Sequence, residues 1–153
     1  MRTRTILLAL AACVAGAAAI LAADQSGTWK LNTAKSKISP GVPQNNMVVI
    51  TAMGDQTKVI VDGTDGAGRP AHNEWVGKFD GKDYPVTGDP SVDMRSYKAK
   101  GDNSWEVAQK KSGKVTTSGT VTISADGKTR TVETKGTDAQ GKPVSSHAVY
   151  DKR

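Results

Sequence analysis

Two histidines are the first residues to test for chemistry: His72 in "PAHNEW" and His147 in "VSSHAVY". A metal site would need a carboxylate or third ligand at matching spacing beside them, and none accompanies either. "SSH" at Ser145 to His147 is no relay, because adjacent residues of an extended strand point to opposite faces. The acids Asp80, Asp83, Asp89 and Asp93 stand in "DG", "GD" and "VD" settings. Turn duty accounts for them, and no ordered calcium loop is present. No phosphate-cradling glycine loop leads into a helix. Cys13 is the single cysteine. With no nucleophile–base pair and no metal set, the expectation is a protein that is not an enzyme and carries no cofactor.

Binding is the remaining chemistry, and two residue sets offer it. The first is aromatic: Trp75, Phe79, Trp105 and Tyr150 recur at strand spacing. They are the candidates for contact with a small hydrophobic or amphipathic molecule, although aromatics so spaced also build ordinary cores. The second is basic: Lys98, Lys100, Lys110, Lys111 and Lys114 sit close together in "KAKGDNSWEVAQKKSGK". They offer an alternative, an interaction module that meets an anionic envelope surface. A nucleic-acid barrel would add exposed aromatics for stacking, and only Trp105 and Tyr97 are near, so no nucleic-acid partner is expected. A monomer is expected.

The ends of the chain bear on compartment. Arg2 and Arg4 precede an uncharged, Ala- and Leu-rich run from Ile6 to Ala23, and charge returns at Asp24. That layout is a signal peptide with a small-residue cleavage site, cut after Ala23, with Ala19 the weaker option. "LAAC" at Leu10 to Cys13 also fits a lipoprotein box, but the apolar run before it is short. The expected mature protein is periplasmic or secreted. Removing 23 of 153 residues leaves 130, a single domain 24–153. It would lack cysteine, and so any disulfide. Net charge falls from +6 to +4 once Arg2 and Arg4 are gone. About 39 of the 130 remaining residues are apolar, below the usual globular share. Thr, Ser and Gly fill the difference, which suits a barrel with a partly wet interior better than a solid core.

No stretch of the mature chain holds helical three-and-four spacing for more than a turn. Short alternating runs bounded by turn residues dominate, among them "KVIVDGT", "AHNEWVGKF", "SWEVAQKK" and "TRTVETKG". The expected fold is all-β, an antiparallel up-and-down β-barrel of about ten strands. Alternation groups Trp75 with Phe79, Trp105 with Val107, Val121 with Ile123 and Ala148 with Tyr150 on inward faces, and turns both histidines to solvent. Trp29 is expected to close one end. "DYPV" is read as an edge or bend because of Pro85. Thr33 to Asn46 carries two prolines and no strand signal, and reads as a crossing loop or a flap over the mouth. One punctuation occurs twice, Gly63-Thr64-Asp65 and Gly136-Thr137-Asp138, each followed two residues later by Gly, a base and Pro. Both copies read as hairpin turns on the same rim.

"GTWKL" at the head and "DGK…VETKG…VYDK" at the tail resemble the fatty-acid-binding proteins within the lipocalin-like (calycin) group. The layout also resembles an uncharacterised family of small exported bacterial proteins with "GTWKLN", "FDGKDYPVTGDP" and "GTD..GKP", over nearly all of residues 27 to 152. The first resemblance implies a ligand-binding barrel. Its carboxylate grip would need arginines where this chain has Ala148 and Thr122, and its helical lid would fall on the proline-broken 33–46 segment. The resemblance therefore implies a barrel without an interior guanidinium pair, suited to an apolar or amphipathic ligand with no anion clamp.

Overall fold

A computed structural model describes residues 24–153. The signal-like stretch 1–23, with Cys13 and both cleavage positions, lies outside the described residues. The strands are β1 (Gly27–Leu31), β2 (Lys37–Ile38), β3 (Gln44–Met53), β4 (Gln56–Thr64), β5 (Pro70–Gly77), β6 (Tyr84–Thr87), β7 (Met94–Gly101), β8 (Ser104–Lys111), β9 (Lys114–Ile123), β10 (Thr129–Thr137) and β11 (Pro143–Lys152).

The wall is all antiparallel. β1 pairs with β3, each strand from β3 to β10 pairs with the next, and β1 returns to β11 through Trp29↔Lys152 and Leu31↔Tyr150. Ten strands thus close a barrel, and the eleventh, β2, pairs beside β1 on β11. Closure satisfies the edges that an open sheet would leave for aggregation.

Period-two alternation builds each stave. In β4, Val59 and Val61 are buried while Asp62 is exposed. In β5, Asn73, Trp75 and Gly77 are buried. In β9 the inward pair is Val121 and Ile123. Gly77 is needed for a local reason: a Cβ there would stand 2.6 Å from both the Trp75 and Tyr84 rings.

The repeated turns have one construction. Asp65 Oδ1 accepts from the amides of Ala67 (2.9 Å) and Arg69 (3.0 Å). Asp138 Oδ1 accepts from those of Gln140 and Lys142, both at 2.9 Å. Gly68 and Gly141 take φ of 79° and 77°, where a side chain would be strained. Pro70 and Pro143 open β5 and β11. Strands alternate in direction, so the β4–β5 and β10–β11 turns share a rim.

Two expectations need correction. Pro85 does not mark an edge: β6 is joined on both sides, to β5 by Glu74↔Thr87 and Trp75↔Val86 and to β7 by Tyr84↔Arg95 and Pro85↔Met94. Ladders of two pairs ask few amide donors of the strand, which is why the proline is tolerated. The 33–46 segment is neither a flap nor a plain loop. Asn32 caps a single 3-10 turn, its side chain accepting from the Lys35 amide at 3.2 Å. β2 then pairs with Ser146 and His147, and β3 already begins at Gln44. Both prolines are confined to the link between β2 and β3.

Candidate binding site in the barrel interior

The inside of the barrel differs at its two ends. Toward the rim that carries the β3–β4 and β7–β8 turns, aromatic rings fill the lumen. Trp75 packs against Tyr97 with ring centres 5.0 Å apart, Tyr84 at 5.9 Å and Phe79 at 6.1 Å. Phe79 also meets Tyr97 at 5.3 Å and Trp105 at 6.1 Å. Most contacts are edge-to-face, the arrangement ring quadrupoles favour. Trp75 Nε1 donates to the Arg95 carbonyl at 2.9 Å, while the side-chain nitrogen of the buried Gln25 finds no hydrogen-bond partner among the described residues. Trp29, fully buried, donates from Nε1 to the Gln25 carbonyl at 2.8 Å, and Lys152 Nζ lies 5.2 Å from its ring centre. This end is a plug.

Toward the opposite rim the inward positions are small or polar and only half-buried. Ala71 on β5, Gln109 on β8, Thr117 and Gly119 on β9, Thr134 and Gly136 on β10, and Val144 and Ser146 on β11 all have this character. Together they form a mouth, on the rim of the two repeated turns.

Between plug and mouth lie the groups that sequence reasoning missed. Arg95 and Arg130 are each only 4 % exposed. Arg95 reaches Asn73 Oδ1 through Nη2 at 3.3 Å. Arg130 stands over the Tyr150 ring, Cζ to centre 5.6 Å. The Nε atoms of both arginines are buried without a hydrogen-bond partner among the described residues. Among the described residues, ion pairs are formed by other groups, such as Lys58–Glu74 and Lys110–Asp83, and by neither of these arginines. Asp93, two residues before Arg95, turns its Oδ2 to the Ser112 amide at 2.7 Å, and its Oδ1 is buried without a partner among the described residues.

Burial pushes the Arg130 guanidinium below its ordinary value; Tyr97 and Tyr150 oppose that, and Arg95 adds repulsion. A guanidinium nonetheless stays protonated in a protein. Burial also raises the Tyr150 phenol, which keeps it a neutral hydroxyl near neutral pH. The barrel therefore encloses two fixed positive charges, with phenols and an amide around them. That overturns the expectation of an interior without a guanidinium pair. Ala148 does face inward and is buried, but Thr122 is on the outer face. The charges come instead from β7 and β10, strands on which no arginine was sought. A signal existed: Tyr97 and Arg95 share parity in "MRSYK", and so do Val132 and Arg130 in "TRTVET", so an inward Tyr or Val carries its Arg with it.

The other proposed residues fall as follows. Trp75, Phe79 and Trp105 belong to the plug and touch one another, while Tyr150 stands at its junction with Arg130. His72 and His147 are on the outer face beside Asp62 (2.7 Å) and Glu133 (3.1 Å). The lysines divide between the two rims: Lys98 and Lys100 approach the β7–β8 turn, while Lys110, Lys111 and Lys114 flank the β8–β9 turn. Lys110 is paired with Asp83 at 2.6 Å.

The wall is thinly paired on both sides of β6 and is open beside the end of β1. β3 pairs with β1 only as far as Met47↔Lys30, so Gln44 to Asn46 have no partner on that side. A hollow of about 220 Å³ opens there, lined by Leu31, Thr33, Ser36, Ile38 and Gln44. Leu31 is the cross-strand neighbour of Tyr150, so the hollow adjoins the charged region. A second hollow, about 430 Å³, lies over the outer face of β7 to β9 at Ser96, Glu106 and Ser118, away from the guanidiniums.

Compared with known proteins, the chain matches no protein-family model and no curated protein. The closed all-antiparallel ten-stranded barrel is compatible with a calycin-like fold.

Proposed function

We propose that the mature, exported chain is a non-enzymatic binding barrel, a carrier or sensor for a small amphipathic anion. The head group sits on Arg95 and Arg130, with Asn73, Tyr97 and Tyr150 as neutral hydrogen-bonding neighbours. The rest of the ligand extends through the half-buried mouth. One observation carries this reading: two guanidiniums are buried in the lumen with no carboxylate paired to either among the described residues. Holding an uncompensated charge away from water costs several kcal/mol per ion. A fold keeps such groups where an incoming anion makes use of them, since Arg matches carboxylate and phosphate oxygens bidentately.

Titration of the mature protein with anilinonaphthalene sulfonate, an anionic aromatic probe, tests the proposal. Saturable binding with quenched tryptophan emission is expected, weakened at least about tenfold in Arg130→Met. Equal binding by wild type and by Arg95→Met and Arg130→Met would remove the proposal. Native mass spectrometry of the purified protein should show a retained acidic small molecule.

A further inference from the structure

The geometry points to a ligand head that carries two negative charges, a phosphomonoester or a dicarboxylate, rather than one. This deepens the function proposed above and rests on it. Neither Arg95 nor Arg130 has an acidic partner among the described residues, and each keeps a buried Nε without an acceptor. Asp93, just before β7, gives Oδ2 to the Ser112 amide, and its buried Oδ1 makes no ion pair with Arg95. The neighbours that do reach the pair, Asn73 and Tyr150, are neutral. A head with one charge compensates one guanidinium and leaves its twin buried and unpaired, the costly state. A head with two charges compensates both, and its three or four oxygens give each planar fork its own acceptors. Selection between ligands of equal length then follows from charge, through the penalty that the singly charged competitor leaves behind.

Octyl phosphate and octyl sulfate separate the cases. They share a tail and a tetrahedral head, but near neutral pH the phosphate approaches two charges and the sulfate has one. Displacement of the naphthalene probe from wild-type protein should show octyl phosphate at least about tenfold tighter than octyl sulfate. Octylsuccinate against nonanoate asks the same of carboxylates and tells a phosphate-selective site from a dicarboxylate-selective one; a dianion preference in either pair supports the inference. Equal affinity within both pairs would overturn it and leave the anion-binding reading intact. Failure of all four to displace the probe, or to bind directly by calorimetry, would remove both. In Arg95→Met, if it folds, the preference should fall to about unity; the wild-type comparison decides the matter without that variant.

Discussion

The two ends of the lumen use similar backbone for opposite purposes. At the plug, Trp75, Phe79, Tyr84, Tyr97 and Trp105 meet ring to ring, and the indole donors of Trp29 and Trp75 find carbonyls 2.8 and 2.9 Å away. At the floor of the mouth, two guanidiniums are as deeply buried, yet their Nε atoms lack partners. The first arrangement is what a chain does to be stable. The second opposes stability, and buried groups of that kind mark a place where something else completes the structure. Burial alone does not separate core from site here, and a neutral amide nitrogen beside Trp29, Gln25 Nε2, is also without a partner among the described residues; what distinguishes the floor of the mouth is that its unsatisfied groups carry charge.

The contrast is broken most directly at Trp75. Trp75→Ala should cost about 3–5 kcal/mol by loss of buried area and creation of a cavity among Phe79, Tyr84 and Tyr97; denaturant unfolding measures it. Arg130→Met should go the other way. Removing an uncompensated buried charge and keeping the volume is expected to stabilise by about 1–4 kcal/mol, read as a raised unfolding midpoint, while anion binding is lost. If Arg130→Met destabilises as Trp75→Ala does, both ends are ordinary core and the distinction fails.

Smaller changes sharpen it. Gly77→Ala would press a methyl into Trp75 and Tyr84, and about 1–3 kcal/mol of overpacking is expected, with near-ultraviolet circular dichroism reporting disturbed rings. Asp138→Ala removes a carboxylate that holds two turn amides on the mouth rim; about 0.5–1.5 kcal/mol is expected, and Asp65→Ala should cost at least as much, because Asp65 Oδ2 also holds the Arg69 side chain. The smallest effect belongs to the outer wall. His72 is raised above its ordinary value, first by its hydrogen bond to Asp62, with burial opposing. A raised histidine favours the folded state while protonated. Its contribution is therefore present below the ordinary histidine range and lost as pH rises through the shifted value. The urea midpoint of wild type should exceed that of His72→Gln near pH 5 and converge with it near pH 8, and salt should shrink the gap.

Much of the fold was legible because strand patterning is local. The inward pairs Trp105 with Val107, Val121 with Ile123 and Ala148 with Tyr150 follow from parity, and all six are buried. The repeated Asp and Gly positions foretold their turns because the Asx geometry and positive φ they supply involve only five residues. β2 was hidden for the opposite reason: a two-residue strand has no period to read, and its partners Ser146 and His147 are more than a hundred positions away. The guanidiniums were hidden by composition, since arginine is normally read as surface and 95 and 130 meet only when β7 and β10 are curved around one lumen.

Residue order alone settled the all-β class, the turn chemistry and the inward side of Trp75, Trp105 and Tyr150, because these depend on neighbours one or two residues apart; the inward packing of Tyr84 and Tyr97 was not read from it. Tertiary structure decided which inward residues find partners. Satisfaction of a buried charge depends on what the opposite wall supplies, and in this barrel the opposite wall supplies phenols, an amide and a second positive charge.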